Sequence, residues 1–299
     1  MRTIATRRLP GPAWDELGDV EVGLPDAPRD DVDVVILANE AVPFELLPSL
    51  RLVANFGVGY DRIDLAECEA RRIAVTNTPG VLDAATADLA LALMLAARRR
   101  VVEGDDLVRA GRWGTPWSAG PFLGREVTGA TLGIVGLGRI GAAVAQRARG
   151  FEMTVIFNGR SRTDDPDWRP LEQLLAEADI VSLHTPLTLE TTRLISRERL
   201  ALLRDGATLV NTARGAVVDE DALIEELVSG RITAGLDVFA HEPNVPERLR
   251  GLPNVGMTPH IASAPVETRA AMTRIVVDNV LAFTRGEPLL TPVQMPPRG

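Results

Sequence analysis

The sequence predicts an α/β protein built from two doubly wound parallel sheets. Short β-branched runs alternate with turns and helical stretches along most of the chain, the rhythm of parallel β/α units. With 299 residues, 45% apolar and 24% charged, there is enough chain for two ordinary domains with their own cores. An alanine- and leucine-rich stretch from Asp83 to about Arg100 separates a less regular first part from a more regular second part, and such a helix can join two domains. In the first part, Val32 to Leu37, Leu52 to Asn55 and Ile73 to Thr76 read as strands and Leu65 to Arg71 as a short helix, while the first thirty residues show no clear pattern. In the second part, strands are expected at Thr131 to Val135, Met153 to Phe157, Ile180 to Leu183, Thr208 to Asn211, Ala234 to Val238 and Val255 to Met257. Six strands suit one doubly wound sheet. Helices Ile140 to Arg149 and Glu220 to Ser229 are each followed by the glycine expected past a helix end, Gly150 and Gly230. The last helix, about Val266 to Arg285, either covers the second sheet or returns to the first domain; the return is the preferred reading.

Composition removes several chemistries. The 32 basic residues are all arginine, so Schiff-base chemistry and the phosphate-loop lysine of nucleotide hydrolases have no amine to use. There is no Gly-x-Ser-x-Gly elbow and no His-Glu-x-x-His, which leaves His184, His241 and His260 with Arg, Asp and Glu for acid–base work. No metal is implied. Forty-one acidic residues against 32 basic give a net charge of −9, unsuited to a nucleic-acid surface. Small molecules are the expected partners. Cys68 is the only cysteine, and no run reaches the roughly 20 apolar residues of a membrane helix. Met1 to Pro10 carries Arg2, Arg7 and Arg8 with no apolar block of signal length behind them, so the cytoplasm is the expected compartment.

Gly136-Leu137-Gly138-Arg139-Ile140-Gly141 lies between a strand and a helix, the context that turns a glycine pattern into a dinucleotide signal. Gly136 permits the tight turn, Gly138 lets backbone approach a pyrophosphate, and Gly141 allows close helix packing at the positive helix end. An NAD enzyme usually holds an acid about 20 residues on, for the ribose hydroxyls. Here that place reads Asn158-Gly159-Arg160-Ser161-Arg162, where two arginines and a serine suit a 2′-phosphate. NADP(H) is therefore expected over NAD(H), which stays possible. The competing reading pairs Arg160 and Arg162 with Asp164, Asp165 and Asp167 on a solvated loop.

Other unusual polar residues gather after strands, where open parallel sheets bind ligands. They are His184-Thr185-Pro186, Asn211-Thr212-Ala213-Arg214-Gly215, Asp237 to Pro243, and Thr258-Pro259-His260.

With Asn55 to Asp61, Thr76 to Gly80, Leu132 to Gly141, Val181 to Thr188, Asn211 to Gly215, Leu236 to Pro243 and Thr258 to Ser263, the chain resembles the D-isomer-specific 2-hydroxyacid dehydrogenases over roughly Leu50 to Gly286. The resemblance implies a Rossmann cofactor domain, 88–264, inserted in a smaller flavodoxin-like substrate domain made of 1–87 and 265–299. It also places the catalytic arginine at Arg214, the glutamate at Glu242 and the histidine at His260. Chemistry agrees with those roles. Arg214 offers a rigid fork of donors to the substrate carboxylate and carbonyl oxygen. His260 is the general acid, with the Glu242 carboxylate favouring its charged form. The amides of Val58 and Gly59 are expected to bind the substrate carboxylate from the first domain. Arg139, Ile140, Thr185, Pro186, Thr212 and Ala213 are expected to line the cofactor with His184 and His260, and Asp237 to accept from the nicotinamide carboxamide. His241 reads as an incidental neighbour.

The implied activity is hydride transfer from NADPH to a small 2-oxo acid, with glyoxylate or hydroxypyruvate preferred. Hydroxyphenylpyruvate reductase is a close rival and 3-phosphoglycerate dehydrogenase a weaker one, since the cofactor loop lacks its usual acid. A dinucleotide-sensing corepressor-like binding protein is the non-enzymatic alternative. The chain departs from the family pattern in its trimmed amino-terminal region, in Asp83 and Ala84 where a threonine and an acid are usual, in Ala262 where glycine is commoner, and in Pro265. Trp113, Trp117 and Phe122 crowd a connecting segment of a chain with 4% aromatics. They suggest a contact surface, and the resemblance implies a homodimer.

Overall fold

Strands buried along their whole length belong in parallel sheets covered on both faces, and the central strands of both sheets follow that rule. A computed structural model describes residues 1–114 and 122–295. The chain divides into two compact units, the first Met1–Leu82 with Ser263–Gly299 and the second Asp83–Ala262.

The first unit holds β1 (Arg2–Ala5), β2 (Glu21–Val22), β3 (Val32–Leu37), β4 (Leu52–Asn55), α1 (Leu65–Arg71) and β5 (Ala74–Thr76). The sheet order is β2-β1-β3-β4-β5, every pair parallel, which is the flavodoxin-like order. All four residues of β4 are buried, and α1 is capped by Asp64, whose carboxylate accepts from the Glu67 amide at 3.0 Å. The helix Val266–Arg285 belongs to this unit: Thr273 Oγ1 donates to Pro10 O at 2.6 Å, and the fully buried Asn279 accepts from the amides of Leu290 and Thr291 at 2.9 and 3.1 Å.

The second unit holds α2 (Asp83–Arg98), α3 (Val101–Arg109), β6 (Thr131–Val135), α4 (Arg139–Arg149), β7 (Thr154–Asn158), β8 (Ile180–Leu183), β9 (Thr208–Asn211), β10 (Thr233–Leu236) and β11 (Val255–Met257). Its parallel sheet runs β11-β10-β9-β8-β6-β7. The order reverses between β6 and β8, the switch point at which such sheets bind ligands. One core packs Ala87, Ala90 and Met94 of α2 and Val144, Ala145 and Ala148 of α4 against Leu132, Ile134 and Ile180. The other packs Leu174, Leu175, Leu223 and Leu227 against Val181, Leu183 and Leu209.

Four details differ from the sequence reading. The unit boundaries fall at 82/83 and 262/263 instead of 87/88 and 264/265, because α2 begins at Asp83 and buries its face within the second core. The stretch through Arg100 breaks after Arg98, since Arg100 is left-handed (φ 55°) and starts a separate α3 with no buried residue. α4 ends at Arg149 with Gly150 past it as expected, but Gly150 is right-handed (φ −67°) and the left-handed residue is Glu152 (φ 58°). The first thirty residues hold a four-residue strand, a 3-10 turn and a two-residue edge strand, pieces too short to show a period. Trp113 is 62% exposed and Phe122 lies 4.3 Å beneath the Arg100 guanidinium; Trp117 falls outside the described residues. Among the described residues, no helix is long and apolar enough to cross a membrane and no His, Cys, Asp and Glu group could hold a metal ion.

Gly235 lets α2 approach β10, since a Cβ there would meet the Leu93 carbonyl oxygen at 2.9 Å. Gly235→Ala is expected to lower the unfolding free energy by about 1–3 kcal/mol in urea titrations. Gly251→Ala, with nothing within 4 Å of the added methyl, should change it by less than ~0.5 kcal/mol.

Candidate active site

The turn after β6 has a separate steric demand at each glycine. Gly136 has φ 97°, and a Cβ there would come within 2.8 Å of the His184 carbonyl oxygen. At Gly141 a Cβ would fall 2.2 Å from the Gly136 carbonyl oxygen, so α4 can approach the turn only as glycine. Gly138, the N-cap of α4, has nothing within 4 Å of the added atom. Backbone is therefore open to a ligand at that position alone of the three. The first turn of α4 carries no capping side chain and no acid, which leaves its amides and positive dipole for an anion. Across the switch point, the hydroxyls of Thr185 and Thr212 are buried without hydrogen-bond partners among the described residues. An open glycine, an uncapped helix end and two orphaned hydroxyls fit a dinucleotide. His184 Nε2 lies 2.8 Å from Ser182 Oγ, and burial lowers its pKa to about 4, so the ring is neutral at pH 7.

Beyond Asn158, whose side chain donates to Arg169 O at 2.8 Å, the loop Gly159 to Arg162 reaches the surface. Arg162 stacks over Trp168 at 5.8 Å, and the charge of Arg160 reaches Glu190. Neither arginine has an ion pair within 4.0 Å among the described residues. The alternative pairing with Asp164, Asp165 and Asp167 is not formed; Asp165 instead accepts from the Asp167 amide at 2.9 Å.

Three segments then converge. After β9, the buried Asn211 accepts from Ala213 N at 3.0 Å and donates to Arg214 O at 2.9 Å, clamping the backbone that carries Arg214. Arg214 Nη1 donates to Ala213 O at 2.7 Å. A Cβ on Gly215 would lie 1.9 Å from the carbonyl carbon of Phe239, so this segment and the one after β10 touch backbone to backbone. Phe239 N donates to Glu242 Oε1 at 2.9 Å, and Glu242 Oε2 lies 2.8 Å from His260 Nδ1. His260 Nε2 is the remaining ring nitrogen, and the side chain is 44% exposed. Burial pushes the Glu242 carboxyl upward, but the His260 bond, the Phe239 amide and the charges of His260 and Arg214 outweigh it and hold the group below the usual carboxylate range. Arg214, Glu242 and His260 thus share one electrostatic site.

Asp237 does something the sequence reading did not foresee. It is fully buried, its Oδ1 accepting from Thr258 Oγ1 at 2.6 Å and Ile261 N at 2.8 Å, and its Oδ2 from Ala262 N at 2.9 Å. No oxygen is exposed for the expected carboxamide contact; the group instead holds the turn that presents His260. Asn211 and Phe239 are further supports absent from the expected site. An asparagine ending a strand two residues before a small residue was the available signal for Asn211, while nothing local marks the Phe239 amide. His241 is exposed.

In the first unit, the turn after β4 is held by its carbonyls. The buried Asn55 donates to Gly57 O and Gly59 O at 3.1 and 2.8 Å, and Asn77 donates to Val58 O at 2.9 Å. The amides of Val58 and Gly59 donate to no acceptor among the described residues.

The family model described as D-isomer specific 2-hydroxyacid dehydrogenase, NAD binding domain, matches residues 91–262. The chain belongs to this family. A glyoxylate reductase of Pyrococcus horikoshii is 51% identical over 254 residues, 82% of this chain and 76% of the relative. A hydroxyphenylpyruvate reductase of Plectranthus scutellarioides is 44% identical over 85% of this chain and 82% of the relative. Among solved structures, a Thermus thermophilus protein aligns with TM-score 0.91 and 45% identity over 98% of this chain and 100% of its own. An NADPH-dependent glyoxylate/hydroxypyruvate reductase of Sinorhizobium meliloti, solved with NADP and malonate, aligns with TM-score 0.87 and 36% identity over 98% and 97%. This dehydrogenase is therefore an oxidoreductase with a nicotinamide dinucleotide domain.

Glu242 is 24% exposed and its folded pKa lies below the unfolded value of about 4.3. Its stabilising contribution is full above the unfolded value and disappears as pH falls through the folded one. The stability difference between wild type and Glu242→Gln in urea titrations should be larger at about pH 5 than in more acid solution, shrinking progressively as pH falls through the lowered folded value.

Proposed function

We propose that this dehydrogenase reduces small 2-oxo acids, glyoxylate and hydroxypyruvate foremost, with NADPH preferred to NADH. The convergence of Arg214, Glu242 and His260 after strands of the sheet that also carries the glycine turn supports the reading, and the glyoxylate reductase relatives support the substrate class. Reduced nicotinamide supplies the hydride. Arg214 holds the substrate carboxylate and carbonyl oxygen and keeps its charge throughout. His260, oriented through Nδ1 by Glu242, presents Nε2 to give the carbonyl oxygen its proton. Glu242 stabilises the imidazolium and is itself steadied by the Phe239 amide. The unbonded amides of Val58 and Gly59 are assigned to the substrate carboxylate. On the cofactor side, Gly136, Gly138, Arg139, Ile140 and Gly141 take the pyrophosphate, and Thr185, Pro186, Thr212 and Ala213 line the nicotinamide half.

For the 2′-phosphate, support comes from Arg160 and Arg162, which are exposed and, among the described residues, without ion pairs where an NAD enzyme carries an acid, with Ser161 between them and Asn158 and Gly159 shaping the loop. We also read the chain as a homodimer of the cytoplasm, where the reduced cofactor is supplied. Its α3 exposes Val101, Val102 and Val108, and Trp113 follows. Hydroxyphenylpyruvate is the second substrate to test, given the 44% identity to its reductase.

A panel of 2-oxo acids, followed by nicotinamide absorbance, tests the reading. His260→Gln should lower kcat on glyoxylate by about 10²–10⁴-fold with NADPH binding retained. Tight cofactor binding without turnover on any acid would overturn it in favour of a sensor. Replacing Arg160 and Arg162 together by alanine should raise the KM for NADPH about 10²–10⁴-fold and leave that for NADH unchanged, each of the two charge-assisted bonds being worth roughly 1.5–3 kcal/mol.

A further inference from the structure

The first unit has a switch point of its own, between β1 and β3, where the chain turns outward to β2 on one side and to β4 on the other. Thr6 and Arg7 follow β1 there, Ala38 to Glu40 follow β3, and Phe56 follows β4. Arg269 joins them from the helix Val266–Arg285, its guanidinium stacked on the Phe56 ring at 5.4 Å. Phe56 is 5% exposed and Arg269 half-buried. Among the described residues, the Arg269 guanidinium has no ion pair and no hydrogen-bond acceptor. Arg7 is paired with Glu40, yet its charge still acts on Arg269: burial first and Arg7 second pull the Arg269 pKa below the ordinary guanidinium value. Arg269, Arg7 and Glu40 together carry a charge of +1, while the Asp61 carboxylate on the same edge accepts from Asn39 at 3.3 Å. A fork of donors that is partly desolvated, repelled by a like charge and given no acceptor is unfavourable by itself. A compact anion supplies what is missing, and the Phe56 ring 5.4 Å away already restricts the guanidinium, whose fork of donors suits bidentate contact.

We propose that Arg269, seated on Phe56 and assisted by Arg7, binds a small oxyanion, a carboxylate or a phosphate group. The source is either a second acidic group on a longer 2-oxo acid or a free anion acting as an effector. The site uses none of the residues given catalytic roles, and its binding test does not rest on the reductase reading.

The full chain, saturated with NADPH so that the cofactor site is filled, is titrated with inorganic phosphate and with chloride at matched ionic strength. Phosphate should bind in preference to chloride, and Arg269→Gln should weaken it about tenfold or more, the loss expected for a charge-assisted pair. Arg269→Lys, which keeps the charge but not the fork, should fall between the two, and Arg7→Gln should weaken phosphate a few-fold with Arg269 intact. Steady-state kinetics then separate the sources. If the anion is part of the substrate, Arg269→Gln raises the KM for oxaloacetate but not for glyoxylate, and phosphate competes with oxaloacetate. If it is an effector, phosphate changes the glyoxylate rate of the wild type and not of Arg269→Gln. Equal response to phosphate and chloride, or unchanged phosphate binding in both Arg269→Gln and Arg7→Gln, overturns the proposal.

Discussion

A carboxylate with no access to water organises the candidate site. Burying Asp237 is tolerable only because its oxygens accept three bonds, from the Thr258 hydroxyl and the amides of Ile261 and Ala262. Those bonds fold the segment after β11 into a tight turn in which His260 takes a left-handed conformation, φ 54°, unfavourable for a residue with a side chain. The His260 amide is bound by the Asp237 carbonyl at 2.9 Å and its ring by Glu242 at 2.8 Å, so the surroundings over-determine a geometry the residue would not choose. Loss of the Asp237 carboxylate would free the turn before it touched any chemistry.

The second constraint is close backbone contact. At Gly215 and Gly141, two segments come nearer than any Cβ permits, and these contacts bring Arg214 beside the Glu242 segment and α4 beside the glycine turn. The electrostatics follow from this proximity. Burial alone would raise the Glu242 carboxyl, and the nearby donors and charges reverse the sign. In a chain whose cations are all arginine, the fixed charges near the ligand sites do not titrate in the physiological range, which leaves proton exchange to the few histidines.

Much of the second unit was legible in the sequence because parallel strands buried on both faces announce themselves as apolar runs. The strands Ile180–Leu183, Thr208–Asn211 and Val255–Met257 match their expected spans residue for residue. The glycine turn was equally plain, since its spacing states a steric requirement. What escaped were elements whose reason to exist is not periodic. No residue of α3 is buried, and β2 is two residues at a sheet edge, held by its pairing with β1. Asp237 illustrates the same limit at the site: its place after a strand was readable, but an aspartate facing a ligand and one serving a turn look alike in one dimension.

Taken alone, the sequence determined the class of both sheets and the dinucleotide signature, because local spacing and residue chemistry carry that information; Arg214, Glu242 and His260 were singled out by the family resemblance, with residue chemistry suited to the roles it implies. Tertiary structure decided that Glu242 reaches His260 across 18 residues, that Asp237 faces inward, and that Arg160, Arg162 and Arg269 stand without ion-pair partners among the described residues. Which donors meet which acceptors depends on distances between segments far apart in the chain, and those are set by how the helices pack on the sheets.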